Sequence, residues 1–140
     1  MRVRQIMTAD PACCPPLTSL RDVAQLMTDC DCGEIPVVDE QSRLIGVVTD
    51  RDIACRAVAQ GRDPLQTRAS DVMSSPVVTV TRNATLEECC ARMEENRIRR
   101  IPVVDENGVC CGMVSQADIA RSAPVHEIAG VIREVSRPSA

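Results

Sequence analysis

The chain has 140 residues, enough for one compact domain or for two small halves that share a core, and too few for two large domains. It is 44% hydrophobic and 26% charged, no apolar run approaches the roughly 20 residues of a membrane span, and the charged start Met1–Ile6 has no apolar stretch behind it, so a cytoplasmic protein without membrane contact is expected. A net charge of −4, the absence of Phe, Tyr, Trp and Lys, and a single histidine, His126, argue against nucleic-acid binding, lysine chemistry and histidine-rich metal sites.

Along the chain, Ser19-x-x-Asp22 has the form of a capping box opening an amphipathic helix whose apolar face carries Leu20, Val23, Met27 and Cys30. Two strands follow, Ile35–Val38 and Leu44–Val48, around the polar turn Asp39–Arg43. A second helix is predicted from Thr49 to about Gln60, stopped by Gly61 and Pro64, and residues 60–70 read as a linker. Beyond it come an extended segment at Pro76–Val80, a helix opened by Thr85-x-x-Glu88 with Leu86, Cys89, Met93 and, less well, Asn96 on its apolar face, a hairpin turning at Asp105–Gly108, and a helix starting at Ser115. A last helix begins at Pro124 with Val125, Ile128, Ile132 and Val135 as its stripe and ends before Pro138. That stripe needs a cover, either its own module or a second subunit.

The nine cysteines occur as three adjacent pairs, a Cys30-x-Cys32 and a lone Cys55, with no C-x-x-C spacing. Most are therefore expected to be small apolar core residues in a reducing compartment, with no metal site and no required cofactor. His126 falls on the first turn of the last helix and reads as a surface residue, so no nucleophile or acid–base constellation emerges and the chain is expected not to be an enzyme.

Ile35-Pro-Val-Val-Asp-Glu40 recurs as Ile101-Pro-Val-Val-Asp-Glu106, 66 positions later, and the same offset places Met7 on Met73, Leu20 on Leu86, Met27 on Met93, Gly46 on Gly112 and Asp52-Ile-Ala on Asp118-Ile-Ala. The fold class expected is α/β (α+β): two tandem β-α-β-β-α units, each of roughly 60 residues and too small to be comfortable alone, packed with pseudo-twofold symmetry.

Each hairpin ends in Gly-x-x-Thr/Ser-x-x-Asp: Gly46 to Thr49 and Asp52, then Gly112 to Ser115 and Asp118. A strand running into a helix start offers backbone N–H groups to a phosphate, and a carboxylate there accepts hydrogen bonds from ribose hydroxyls, which suits a nucleoside monophosphate. The same residues also have the form of plain helix caps. Both readings stand on the pattern alone.

From Met1 to about Arg121 the sequence resembles a tandem pair of CBS domains (cystathionine beta-synthase domains, the Bateman module), through Ile6-Met-Thr8 and Val72-Met-Ser74, the two Ile-Pro-Val-Val-Asp-Glu segments and the two Gly-x-x-Thr/Ser-x-x-Asp endings, in fixed order twice. The resemblance implies a first domain over 1–62, a second over 63–123, and a C-terminal helix and tail over 124–140. It implies a regulatory module that binds AMP, ADP, ATP or S-adenosylmethionine in clefts between its halves, forms a homodimer, and acts in trans on a protein target. Carried over residue by residue, it makes Asp52 and Asp118 ribose ligands, puts Thr49 and Ser115 at ribose or phosphate, and lines the base with Thr8, Ile35, Pro36, Ser74, Val78, Ile101 and Pro102. Arg51 and Arg100 are candidate phosphate partners or solvated charges. Arg99-Arg100 precede Ile101 where Gly33-Glu34 precede Ile35, and Glu34 would repel a phosphate. One good site around Ser115, Asp118 and Arg100 is therefore expected, with a weaker or vacant one around Thr49 and Asp52. The alternative is a dimeric scaffold in which both motifs are only caps.

Overall fold

Side-chain caps start the principal helices where the sequence places them. In the computed structural model, which describes residues 1–138, Ser19, Thr49, Thr85 and Ser115 each accept a hydrogen bond from the backbone N–H three residues on. In chain order the elements are a 3-10 turn (Val3–Gln5), β1 (Thr8–Ala9), α1 (Leu20–Cys30), β2 (Glu34–Val38), β3 (Leu44–Thr49) and α2 (Asp50–Ile53), which winds on as a π-helical turn (Ala54–Val58). Then come α3 (Ala69–Val72), β4 (Val80–Thr81), α4 (Leu86–Asn96), β5 (Arg100–Val104), β6 (Cys110–Ser115), α5 (Gln116–Ser122) and α6 (Val125–Val135). The architecture is mixed α/β with the strand–helix–strand–strand–helix order given twice.

Two compact units form. The upstream unit comprises Pro11–Val77 with Gly108–Cys110, and the downstream unit comprises Met1–Asp10, Val78–Asn107 and the chain from Cys111 onward. In the downstream unit the sheet order is β1-β6-β5-β4, with β1 antiparallel to β6 (Thr8 opposite Met113) and β4 parallel to β5 (Val80 opposite Val103). In the upstream unit β2 and β3 are antiparallel, flanked by a parallel bridge from Cys14 to Val37 and an antiparallel one from Ser74 to Val47. The 66-residue offset converts one set of pairings into the other.

The outer antiparallel position of each sheet is thus filled by the segment that leads the other copy. Leu20 N–H donates to Thr67 O at 2.9 Å and Ala69 N–H to Thr18 O at 2.8 Å; the equivalent bonds downstream run from Leu86 N–H to Met1 O (2.9 Å) and from Val3 N–H to Ala84 O (3.0 Å). Glycine leaves room for a methionine side chain where these segments cross. A Cβ at Gly46 would stand 3.0 Å from Met73 Cγ and nearer still to its sulfur, and one at Gly112 meets Met7 in the same way.

Each unit has its own core. Leu20, Val23, Ile35, Val37 and Val48 anchor the upstream one; Leu86, Cys89, Met93, Ile101 and Ile119 anchor the downstream one. Four sequence expectations are corrected. Residues 60–70 are not all linker, since Thr67 and Ala69 are buried and Thr67 Oγ1 donates to Asp63 O at 2.7 Å. The strand expected at Pro76–Val80 pairs only at Val80–Thr81, because Pro76 has no N–H to give a ladder. The inward face of α6 is formed by the buried Val131 and Val135 with the half-buried Ile128, packed on α4 and α5, while Val125 and Ile132 are exposed. Of the nine cysteines only Cys14, Cys89 and Cys90 are buried; Cys30, Cys32 and Cys55 are exposed.

Where α6 meets α4, burial first, and then the charges of Glu127 and Glu134, push the Glu94 carboxyl above its ordinary pKa. Glu127 faces His126 at 3.5 Å and Glu134 is paired with Arg137 at 3.0 Å. A raised acid pKa means that the folded chain holds this proton more tightly than the unfolded chain, so the contribution of Glu94 to stability falls as pH rises through the raised value. Glu94→Gln is accordingly expected to melt higher than wild type at pH 7, with the advantage shrinking as pH falls toward 4.5, as scanned by thermal denaturation.

Candidate functional site

Both Gly-x-x-Thr/Ser-x-x-Asp motifs form the same object, a strand that ends in a hydroxyl residue capping the helix it enters. Upstream, Thr49 closes β3 and opens α2. Asp52 N–H donates to Thr49 Oγ1 at 3.0 Å, and Thr49 N–H donates to Asp52 Oδ2 at 2.9 Å. Downstream, Asp118 N–H donates to Ser115 Oγ at 3.2 Å and Ser115 N–H to Asp118 Oδ2 at 2.9 Å. Both are complete reciprocal capping boxes, with Asp in the place usually taken by Glu.

The cap occupies only one carboxylate oxygen. Asp118 Oδ1 receives Arg121 Nη2 at 2.5 Å and Thr8 Oγ1 at 3.5 Å, and the Asp118 side chain is 5% exposed. Burying a carboxylate is costly unless its charge is matched, and Arg121, one helical turn on, matches it. Asp52 Oδ1 faces Arg56 Nε at 3.7 Å, and Arg56 Nη1 donates to Val72 O at 2.9 Å and to Ser74 Oγ at 3.3 Å. Arg56 and Arg121 did not figure among the sequence candidates. Their signal was the helix spacing itself, Asp118-x-x-Arg121 and Asp52-x-x-x-Arg56, which puts acid and base on neighbouring turns.

Thr8, Ser115 and Asp118 are brought together in the downstream unit. In the upstream unit Arg56 joins Ser74 to Asp52 and hence to Thr49. The crossing-over of the leading segments creates both groupings. Ile35 and Ile101 are fully buried in their cores and Pro36 and Pro102 are buried beside them, while Val78 packs half-buried against the downstream core. The Ile35 and Ile101 side chains therefore serve packing.

Glu34 lies directly across the hairpin from Thr49, and the repeat places Arg100, the first residue of β5, at the equivalent position downstream. Arg100 is half-buried and Arg51 exposed, and among the described residues neither has an ion-pair partner. Among the described residues no group of three or more His, Cys, Asp or Glu side chains is placed to hold a metal ion, and no helix is long and apolar enough to cross a membrane.

The CBS domain family matches the chain twice, at residues 3–57 and 69–125. Relatives include hypoxic response protein 1 of Mycobacterium tuberculosis, 36% identical over 98% of this chain and 95% of its own, and the CBS domain-containing protein YhcV of Bacillus subtilis, 42% identical over 91% and 89%. The crystal structure of Hypoxic Response Protein I with two coordinated zinc ions is similar at 36% identity and a TM-score of 0.81, covering 89% of this chain and 100% of that one. So are the CBS domain pair of protein MJ0100 in complex with 5-methylthioadenosine and S-adenosyl-L-methionine (26%, TM-score 0.78, 86% and 98%) and CBSX2 in complex with AMP (25%, TM-score 0.75, 87% and 95%). With two matches in tandem and relatives covered almost end to end, the chain belongs to the CBS domain family, as a tandem pair.

Proposed function

We propose that the chain is a regulatory, non-catalytic module that binds an adenosine-containing ligand, with AMP, ADP, ATP and S-adenosylmethionine as the candidate class, and that a partner protein reads its occupancy. The observation that carries this reading is the divided use of Asp118. One oxygen fixes the helix cap, and the other is held buried against a solvent-exposed arginine and a threonine hydroxyl, groups that a ribose diol can replace as donors. The crystal structures of relatives holding AMP, S-adenosylmethionine and methylthioadenosine support the ligand class.

The downstream motif is the better furnished of the two. Arg100 supplies a cation where the upstream unit has Glu34, and Val78 offers an aliphatic surface to a base in a chain without aromatic rings. Thr8, Ser115, Asp118 and Arg100 are the ligand residues of this reading, and Thr49, Arg51, Asp52 and Ser74 form a weaker counterpart. Thermal denaturation with each candidate ligand tests it: a ligand at a hundred times its Kd should add about 2.7 kcal/mol to stability and raise the melting point accordingly. No shift with any of the four at millimolar concentration leaves the motifs as helix caps in an interaction scaffold.

A further inference from the structure

The two motifs are capped alike, but their aspartates are held differently. Upstream, the Arg56 guanidinium stands between α2 and the segment that leads the second copy. Its Nε faces Asp52 Oδ1 at 3.7 Å, and its Nη1 donates to Val72 O at 2.9 Å and to Ser74 Oγ at 3.3 Å. That segment is paired to β3, with Ser74 N–H donating to Val47 O at 2.9 Å and Val47 N–H to Ser74 O at 3.2 Å. Downstream, the 66-residue offset puts Ser122 where Arg56 stands, and Thr8, the counterpart of Ser74, reaches Asp118 Oδ1 with its own hydroxyl at 3.5 Å. Arg121 pairs with Asp118 from the next turn of the same helix, and its side chain is 67% exposed. The helices differ as well. The upstream one widens into the π-helical turn Ala54–Val58 at Arg56, with Ala59 N–H donating to Ala54 O at 2.9 Å, whereas α5 is α-helical through Ser122. Such wide turns are frequent at functional positions.

We propose that Arg56 is an autoinhibitory latch, which occupies the polar groups of the upstream motif and keeps an adenosyl ligand out of it. This rests on the reading of the motifs as adenosyl sites. The latch engages both groups such a ligand would use, Asp52, the counterpart of Asp118, and Ser74, the counterpart of Thr8. A ribose diol arriving at Asp52 must therefore free one guanidinium from a carboxylate, a backbone carbonyl and a hydroxyl on a second segment. Downstream it displaces Arg121 from a single carboxylate oxygen, and that exposed side chain turns to solvent. A site open for a small fraction of the time binds with its affinity reduced by that fraction. Glu34, across the hairpin from Thr49, acts against phosphate alone. Arg56 acts against every adenosyl ligand, with or without phosphate, so a phosphate-free ligand separates the two causes.

The test is calorimetric titration of adenosine and S-adenosylmethionine into the full chain and two variants. Arg56→Met keeps the aliphatic stem and removes the donors; Arg56→Ser installs the residue of the downstream copy. The Arg56 side chain is 51% exposed, so both should fold, which circular dichroism checks. Each variant should bind one equivalent per chain more than wild type of at least one of the two ligands, at a site whose affinity in wild type is at least about tenfold weaker. In the Arg56→Met background the added equivalent should vanish with Asp52→Asn and persist with Asp118→Asn. Hydrogen exchange at the Ser74 amide should also quicken in both variants. A wild type that binds neither ligand beside a variant that binds one equivalent would refute the downstream site and keep the latch. Equal stoichiometry in wild type and the folded variants, or an added equivalent that survives Asp52→Asn, would overturn the latch. So would faster exchange at Ser74 with no ligand gained, which would leave Arg56 a structural clamp.

Discussion

Ile101→Ala is expected to destabilise the chain by about 2–5 kcal/mol, read as a lowered urea midpoint with little change in the slope of the transition. Ile101 has no exposed surface and sits on β5, which lies between β6 and β4 at the centre of the downstream sheet. Truncation removes apolar burial and leaves a cavity that a sheet paired on both sides closes poorly. For a chain of this size the melting point should drop on the order of 10 °C. The repeat supplies a parallel experiment, since Ile35→Ala removes the equivalent side chain from the upstream core. Ile132→Ala, at a position 42% exposed on α6, should stay within about 0.5 kcal/mol of wild type.

The second large effect concerns Asp118, where stability and binding are expected to separate between two substitutions. Asp118→Ala strips the reciprocal partner from the N–H of half-buried Ser115 and leaves Arg121 without its carboxylate, which should cost about 1–3 kcal/mol of folding stability. Asp118→Asn keeps an oxygen for the cap and should lose less stability than Asp118→Ala, the remaining loss coming from the ion pair with Arg121. It lacks the negative charge that would accept the ribose hydroxyls, so an adenosyl ligand should bind it roughly 10- to 150-fold more weakly, the equivalent of about 1.5–3 kcal/mol. Comparing urea denaturation with ligand titration on both variants separates the structural role of the residue from its role in recognition.

The repeat and the capping boxes were legible because they are local: Ser115-x-x-Asp118 and Thr85-x-x-Glu88 each declare themselves within four residues. The crossing of the leading segments was not. Val3 and Ile6 take the places that Ala69 and Val72 take upstream, but a 3-10 turn and a single helical turn carry too few residues for a periodicity. The repeat legible in the sequence therefore starts at Met7, beyond both segments. The α6 stripe was misjudged because Ile128 starts two acceptable apolar series, one through Ile132 and one through Val131 to Val135, and only the packing against α4 and α5 selects the second. The ion pairs of Arg56 and Arg121 with the motif aspartates depend on side-chain placement, which motif spacing suggests but does not fix.

An adenosyl site built on Ser115, Asp118 and Arg100 is detectable by calorimetric titration, which suits a chain with no aromatic fluorophore. AMP, ADP, ATP and S-adenosylmethionine are titrated into wild type, Asp118→Asn and Asp52→Asn. One equivalent of at least one ligand should bind per wild-type chain, with strong loss in Asp118→Asn and near-retention in Asp52→Asn. Silence with every ligand, or binding lost in Asp52→Asn and kept in Asp118→Asn, would contradict that site.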